Sequence, residues 1–106
     1  MLFHVTWDFI DATEERQRRH VALFAEWQPP AEIEFQAFYV HADYSGGMAI
    51  VEVDSSATLA RTIAPWLPWL RFTAKPIAPV EQTMAIRREA TAFRDSVKLS
   101  AIVSSA

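Results

Sequence analysis

The chain has 106 residues, the length of one ordinary domain, and 51% of them are apolar while 22% are charged. This composition is typical of a globular protein and excludes a disordered one. The net charge of −3 argues against nucleic acid, because phosphate binding needs a concentrated basic face. The absence of cysteine excludes disulfides and cysteine-based metal sites. No export signal or membrane span is recognisable, so we expect a soluble, cytoplasmic protein.

The first predicted strand covers residues 2–10, where apolar and polar residues alternate. A period of two with β-branched and aromatic residues is typical of a strand with one buried face. A helix is predicted over residues 14–27. Asp11 or Thr13 can cap its N-terminus, and the prolines at 29 and 30 stop it.

A second strand is predicted over residues 33–41, and strict alternation places alternate positions on one face. These are Ile33, Phe35, Ala37, Tyr39 and His41. The hairpin turn at 43–47 contains the chain's only glycines, Gly46 and Gly47, which suggests that positive φ angles are needed there. A short third strand follows over residues 48–53.

Asp54, Ser55 and Ser56 form the cap of a second helix, which prolines 65 and 68 end. The fourth strand, residues 71–77, is predicted at a sheet edge because Pro76 cannot donate to a central ladder. A third helix over residues 81–97 is indicated by apolar residues at helical spacing, namely Ile86, Ala90, Phe93 and Val97. Residues 98–106 are predicted to form a flexible C-terminal tail.

The order strand, helix, strand, strand, helix, strand predicts a ferredoxin-like α+β domain over residues 1–97, with one extra C-terminal helix. The first and third strands are expected to lie parallel at the centre of the sheet. Because the helices cover only one face, the other, partly apolar face needs a cover. We therefore expect a homodimer with two sheets face to face.

Several separated stretches together resemble a bacterial group catalogued as domain-of-unknown-function family 3303. They are MLFHVTW at 1–7, WQPP at 27–30, AIVEVD at 49–54, ATLAR at 57–61, WLRF at 69–72 and AFRD at 92–95. The resemblance spans roughly residues 1–97 and implies no established reaction. The topology also resembles the dimeric α+β barrel superfamily, which includes cofactor-free monooxygenases, isomerases, haem-handling enzymes and ligand binders. This second resemblance rests on fold alone.

His4 is the leading catalytic candidate, since it lies on the face of the first strand opposite the large apolar residues. Parallel first and third strands would bring Glu52 near Thr6 on that face. A histidine and a glutamate in a partly buried cavity could act as general base and orienting acid. The alternative is an imidazole whose hydrogen bonds are satisfied by neighbours and which catalyses nothing.

The rings that follow the second helix could form the wall of a ligand cavity on the open sheet face, or simply close the core or a dimer contact. Arg71 would suit an anionic group through its fixed fork of donors. The predicted ligand-binding residues are Thr6, Tyr39, Trp66, Trp69 and Arg71.

A metal site is not predicted, because His41 and Asp43 at the hairpin supply too few ligands. No cofactor is predicted either; haem held by His20 or His41 is the weakest option. The leading hypothesis is a homodimeric domain that binds a small ligand or serves a structural role. The alternative is a dimeric-barrel enzyme, a monooxygenase or isomerase, that uses His4 with Glu52. Whether the chain is an enzyme stays open at this point.

Overall fold

The structure, a computed structural model, describes residues 1–97, so the predicted tail at 98–106 lies outside the described residues. The predicted order of seven elements is confirmed. The elements are β1 (Leu2–Phe9), α1 (Glu14–Glu26), β2 (Ile33–Val40), β3 (Gly46–Val53), α2 (Ser56–Ile63), β4 (Leu70–Pro76) and α3 (Val80–Ser96). A short 3-10 turn, Ala64–Trp66, lies between α2 and β4.

The four strands form one sheet in the order β2-β3-β1-β4, and all neighbours are antiparallel. This is the ferredoxin-like arrangement that the element order predicted. The parallel pairing predicted for β1 and β3 is wrong. The α1 crossover leaves β1 and β2 parallel with a gap between them, and β3 returns into that gap from its hairpin with β2. The position of β4 at an edge is confirmed.

The core lies between the sheet and α2. Its buried members are Phe3, Val5, Ala49, Val51, Val53 and Leu59. The first five come from the two central strands, where β-branched and small residues pack tightly on a pleated surface. The N-terminus of α2 is capped by Ser55, whose Oγ accepts a hydrogen bond from the Thr58 amide at 3.3 Å.

A β-bulge interrupts the alternation of β2. Phe35 pairs with Val51, but the next paired residue is Ala37, opposite Ile50, so Gln36 is inserted between them. One extra residue moves every later side chain to the other face. The single face predicted for alternate positions of β2 is therefore wrong. Ile33 and Phe35 face the helices together with Phe38 and Val40, whereas Ala37 and Tyr39 face away.

The two glycines are required by close packing and not by positive φ, which neither adopts. The left-handed residue of the hairpin is Tyr44, with φ of 62°. A β-carbon on Gly46 would stand 1.9 Å from the carbonyl oxygen of Trp7. The predicted reason for this glycine pair is therefore wrong, and so is its place in the turn, because Gly46 and Gly47 are the first two residues of β3.

The helices differ in how firmly they are held. α2 buries Thr58, Leu59 and Thr62, whereas α1 buries none of its residues fully. In α3 every residue is exposed. Among residues 1–97, no helix is both long enough and apolar enough to cross a lipid bilayer.

Candidate functional site

A cavity of about 330 Å³ lies between the helix-covered face of the sheet, α1 and α2. This volume falls in the range of pockets that hold small organic ligands. Its floor is formed by buried side chains of the central strands, including Val5, Ala49 and Val51. Its walls are formed mainly by rings, contributed by Trp7, Phe9, Phe24, Trp27, Phe35, Phe38, Trp66 and Phe72.

Trp66 is the centre of this aromatic wall and is only 5% exposed. Its ring meets Trp27 edge-on at a centroid separation of 5.2 Å and Phe24 at 5.8 Å. Phe38 continues the wall, 6.2 Å from Phe24 and 5.6 Å from Trp7. Edge-to-face and tilted ring pairs at these separations are favourable, so the rings hold one another in place.

One side of the cavity is α1, which is attached mainly through side chains. Phe24 reaches the aromatic wall but stays 47% exposed. Arg16 donates from Nη2 to the carbonyl oxygen of Pro68, beyond the far end of α2. An element with few buried contacts opens at a low free-energy cost. The cavity therefore has a rigid floor and a more mobile side.

His20 on α1 is the polar exception in the aromatic wall. Its imidazole meets the ring of Phe9 edge-on at 5.0 Å and that of Trp66 at 5.2 Å. Burial lowers the pKa of His20 below its usual value, which keeps the ring neutral near pH 7. Within residues 1–97, no hydrogen bond engages its ring nitrogens. Thr62 also lines the cavity, but its hydroxyl donates to the Thr58 carbonyl at 2.8 Å.

The family profile described as Domain of unknown function (DUF3303) matches residues 1–91. The chain belongs to this family. The match covers every residue that lines the cavity and ends inside α3, six residues short of the extent predicted from the sequence. A search of the curated proteins finds no match for the chain.

The residues predicted for catalysis, His4 and Glu52, lie on the open face of the sheet, opposite the face that borders the cavity. His4 stands opposite Ile50, and Glu52 stands opposite Leu2, one diagonal step away on the same face. Glu52 Oε1 accepts from the amino group of Met1 at 2.7 Å. In the described part of the chain no hydrogen bond joins His4 to Glu52. Antiparallel pairing places Met48, and not Glu52, opposite Thr6.

The predicted ligand-binding residues do not all lie on one face of the four-stranded sheet. Thr6, Tyr39 and Arg71 lie on the open face with His4, outside the cavity. Trp66 lines the cavity. Trp69 does not line the cavity, and its ring lies 6.4 Å from that of His20. The cavity walled by rings therefore lies on the helix-covered face, and the cavity predicted on the open face stays a prediction.

His20 is the cavity residue that sequence reasoning assigned only to packing or to the weak haem option. The sequence does indicate that His20 lies with the wall residues, because His20, Phe24 and Trp27 share one face of α1 at helical spacing. The same pattern is equally typical of a histidine that packs in the core and has its ring nitrogens hydrogen-bonded by neighbouring groups. Only the structure shows that its ring borders empty space.

Proposed function

We propose that this DUF3303 protein binds a small, uncharged molecule that contains an aromatic ring, in the cavity beneath α1. The observation that carries the proposal is a cavity of about 330 Å³ walled by rings with one neutral imidazole among them. Flat apolar molecules pack well against such a wall through edge-to-face and offset contacts.

The lining argues for an uncharged ligand. Among the described residues, no aspartate, glutamate, lysine or arginine lines the cavity. A charged group that left water for this site would lose its hydration and gain no ionic partner. A ligand with a carboxylate or an ammonium buried inside is therefore disfavoured.

His20 can orient the ligand with a hydrogen bond. A neutral imidazole carries one donor and one acceptor, so it can serve a hydroxyl or a carbonyl group. Such a bond inside an apolar cavity discriminates strongly, because a ligand that lacks the group leaves the imidazole unpaired. We expect phenol-like molecules to bind more tightly than hydrocarbons of the same shape.

The test is a titration of tryptophan fluorescence with 2-naphthol, with naphthalene and 2-naphthalenesulfonate as comparisons. Rings of Trp7, Trp27 and Trp66 line the cavity and should report occupancy. The variant Ala49→Leu adds a branched side chain inside the cavity and should abolish binding. Its matched control, Ala37→Leu, makes the same change on the open face and should bind like wild type.

Equal affinity of Ala49→Leu and Ala37→Leu for 2-naphthol would show that the ligand does not bind in the cavity. If the fluorescence of the wild-type protein does not change up to the solubility limit of 2-naphthol, the protein does not bind uncharged aromatic ligands of this kind. Preferential binding of the sulfonate would contradict the argument from the uncharged lining.

We also propose that the protein is a homodimer. The open face carries partly buried Leu2, Met48 and Ile50, and no helix of residues 1–97 covers it. Apolar side chains on an uncovered sheet are typical of an association surface. Sedimentation of the wild type against Ile50→Lys tests it, with Ala57→Lys, at an exposed position of α2, as control. Only the first variant should weaken a dimer.

No observation favours the alternative in which His4 and Glu52 catalyse a reaction. Neither residue lines the cavity, and Glu52 is engaged by the amino group of Met1. A general base acts on a substrate within hydrogen-bonding distance, in a site that holds the substrate. Ligand binding is therefore the function that we propose.

A further inference from the structure

Helix α3 has an apolar seam and no partner in the described chain. Thr83, Ile86, Ala90 and Phe93 follow one another at intervals of three, four and three residues. This alternation defines the a and d positions of a heptad, along which two helices pack. Ile86 is 55% exposed and Phe93 is 69% exposed. In proteins most helical stability comes from packing of an apolar face rather than from propensity, so we expect α3 to have a partner.

The spacing also fixes which charged residues flank the seam. Glu89 immediately precedes Ala90 and so occupies a g position. Arg87 and Arg94 immediately follow the d residues and so occupy e positions. Charges at e and g determine the partner and the orientation of paired helices.

In a parallel pair, each g residue faces the e residue five positions later on the other helix. Glu89 would then face Arg94 of the second copy, and symmetry would make this favourable contact twice. In an antiparallel pair, e faces e and g faces g. Arg87 would then face Arg94 of the other copy, which is repulsive, and Glu89 would lie along g residues, Gln82, Glu89 and Ser96, that include no cation.

Both charges are available for such a contact. Within residues 1–97, neither Glu89 nor Arg94 takes part in an ion pair. Arg94 Nη2 donates to the hydroxyl of Thr91 at 3.1 Å, a weak interaction at an exposed site. A carboxylate of a second chain can therefore replace it at little cost.

We propose that α3 pairs in parallel with α3 of a second copy of this chain, along Thr83, Ile86, Ala90 and Phe93, with Glu89 of each copy facing Arg94 of the other. This deepens the homodimer in the proposed function, on which it rests, by naming a contact outside the sheet. It is independent of whether the cavity holds a ligand.

Sedimentation velocity of the full chain over a range of concentrations tests the seam. Phe93→Glu should raise the dissociation constant of the dimer at least about tenfold, because it removes a large apolar contact from each copy. Met84→Glu is the matched control, since Met84 is also exposed on α3 but occupies a b position, outside the seam. It should leave the dissociation constant unchanged.

Charge reversal tests the orientation. Arg94→Glu should weaken a parallel dimer and strengthen an antiparallel one, in which it would face Arg87. Adding Glu89→Arg to Arg94→Glu should restore the parallel dimer. Strengthening by Arg94→Glu alone would overturn the proposed orientation.

Cross-linking gives a second measure of orientation, because the chain has no cysteine of its own. Thr83→Cys lies near one end of the seam, so only a parallel pair brings the two thiols together. In an antiparallel pair they would be displaced by about ten residues, roughly 15 Å, beyond the reach of a disulfide. Mild oxidation should link Thr83→Cys and leave Arg88→Cys, on the outer side, unlinked.

The outcomes separate this contact from the rest of the proposed function. A wild-type protein that is monomeric at all concentrations overturns both the homodimer and the α3 pair. A dimer that survives Phe93→Glu but dissociates with Ile50→Lys overturns the α3 pair alone. Titration of Phe93→Glu with 2-naphthol reports on the cavity separately, since Phe93 does not line it.

Discussion

The indole ring of Trp7 lies so close to Gly47 that a β-carbon on the glycine would stand 2.5 Å from the ring. We predict that Gly47→Ala lowers the free energy of unfolding by about 1–3 kcal/mol, because an added methyl group forces well-packed neighbours apart. Since Trp7 lines the cavity, its fluorescence should change as well. Gly46→Ala should cost more, because its β-carbon would stand 1.9 Å from the carbonyl oxygen of Trp7, closer than any contact that a β-carbon on Gly47 would make. Urea denaturation measures both, and the reverse ranking would contradict this account.

Protonation of His20 should destabilise the fold. Burial lowers its pKa in the folded state, so the unfolded chain binds the proton more readily between that lowered pKa and about 6.5. The free energy of unfolding should therefore fall as the pH drops below about 6.5, and level off below the lowered pKa. It should be fully retained above about pH 7.5.

The measurement is urea denaturation between about pH 5 and pH 8, a window chosen to lie above the titration of the carboxyl groups. Asp43 and Asp54 both have pKa values lowered by hydrogen bonds from neighbouring side chains, so their contributions are lost only at more acidic pH. His20→Phe should flatten the decline, whereas His41→Phe on the exposed hairpin should retain it. A decline that persists in His20→Phe would assign it to another group.

The sequence was sufficient to predict the elements and their order, because periodicity and prolines mark them locally. Val51 and Val53 alternate within β3, and Pro76 marks the edge strand β4. The direction of β3 relative to β1 follows from topology and not from any local pattern. The parallel direction predicted for β3 placed Glu52 near Thr6, whereas in the structure Glu52 pairs with Leu2.

The site was harder to predict because its position depends on packing. The bulge at Gln36 turns Phe38 toward the helices, and no residue type there signals a bulge. With Phe38 and Phe24 in contact, the rings stand between α1 and the sheet and leave a space. A list of aromatic residues predicts that rings will cluster, but not whether the cluster fills its volume.

The cap of α2 offers a local test of stability. Ser55 Oγ accepts from the Thr58 amide at 3.3 Å, and the buried Thr58 hydroxyl donates to Asp54. Ser55→Ala should lower the free energy of unfolding by about 1 kcal/mol, the usual value for loss of an N-cap. Ser56→Ala, one residue later and exposed, is the matched control and should change it little. Equal effects of the two substitutions would show that the hydrogen bond of the Ser55 cap does not stabilise the fold.

Arg16 should control how tightly α1 closes over the cavity. Its Nη2 donates to the carbonyl of Pro68, while its Nε is buried without a partner. Arg16→Ala removes the hydrogen bond, worth about 1 kcal/mol. It should therefore speed amide hydrogen exchange along α1 more than in the central strands. Arg18→Ala is the control, because Arg18 pairs with exposed Glu14 on the outer side of α1. Unchanged exchange in Arg16→Ala would mean that the ring contacts of His20 and Phe24 alone hold α1 in place.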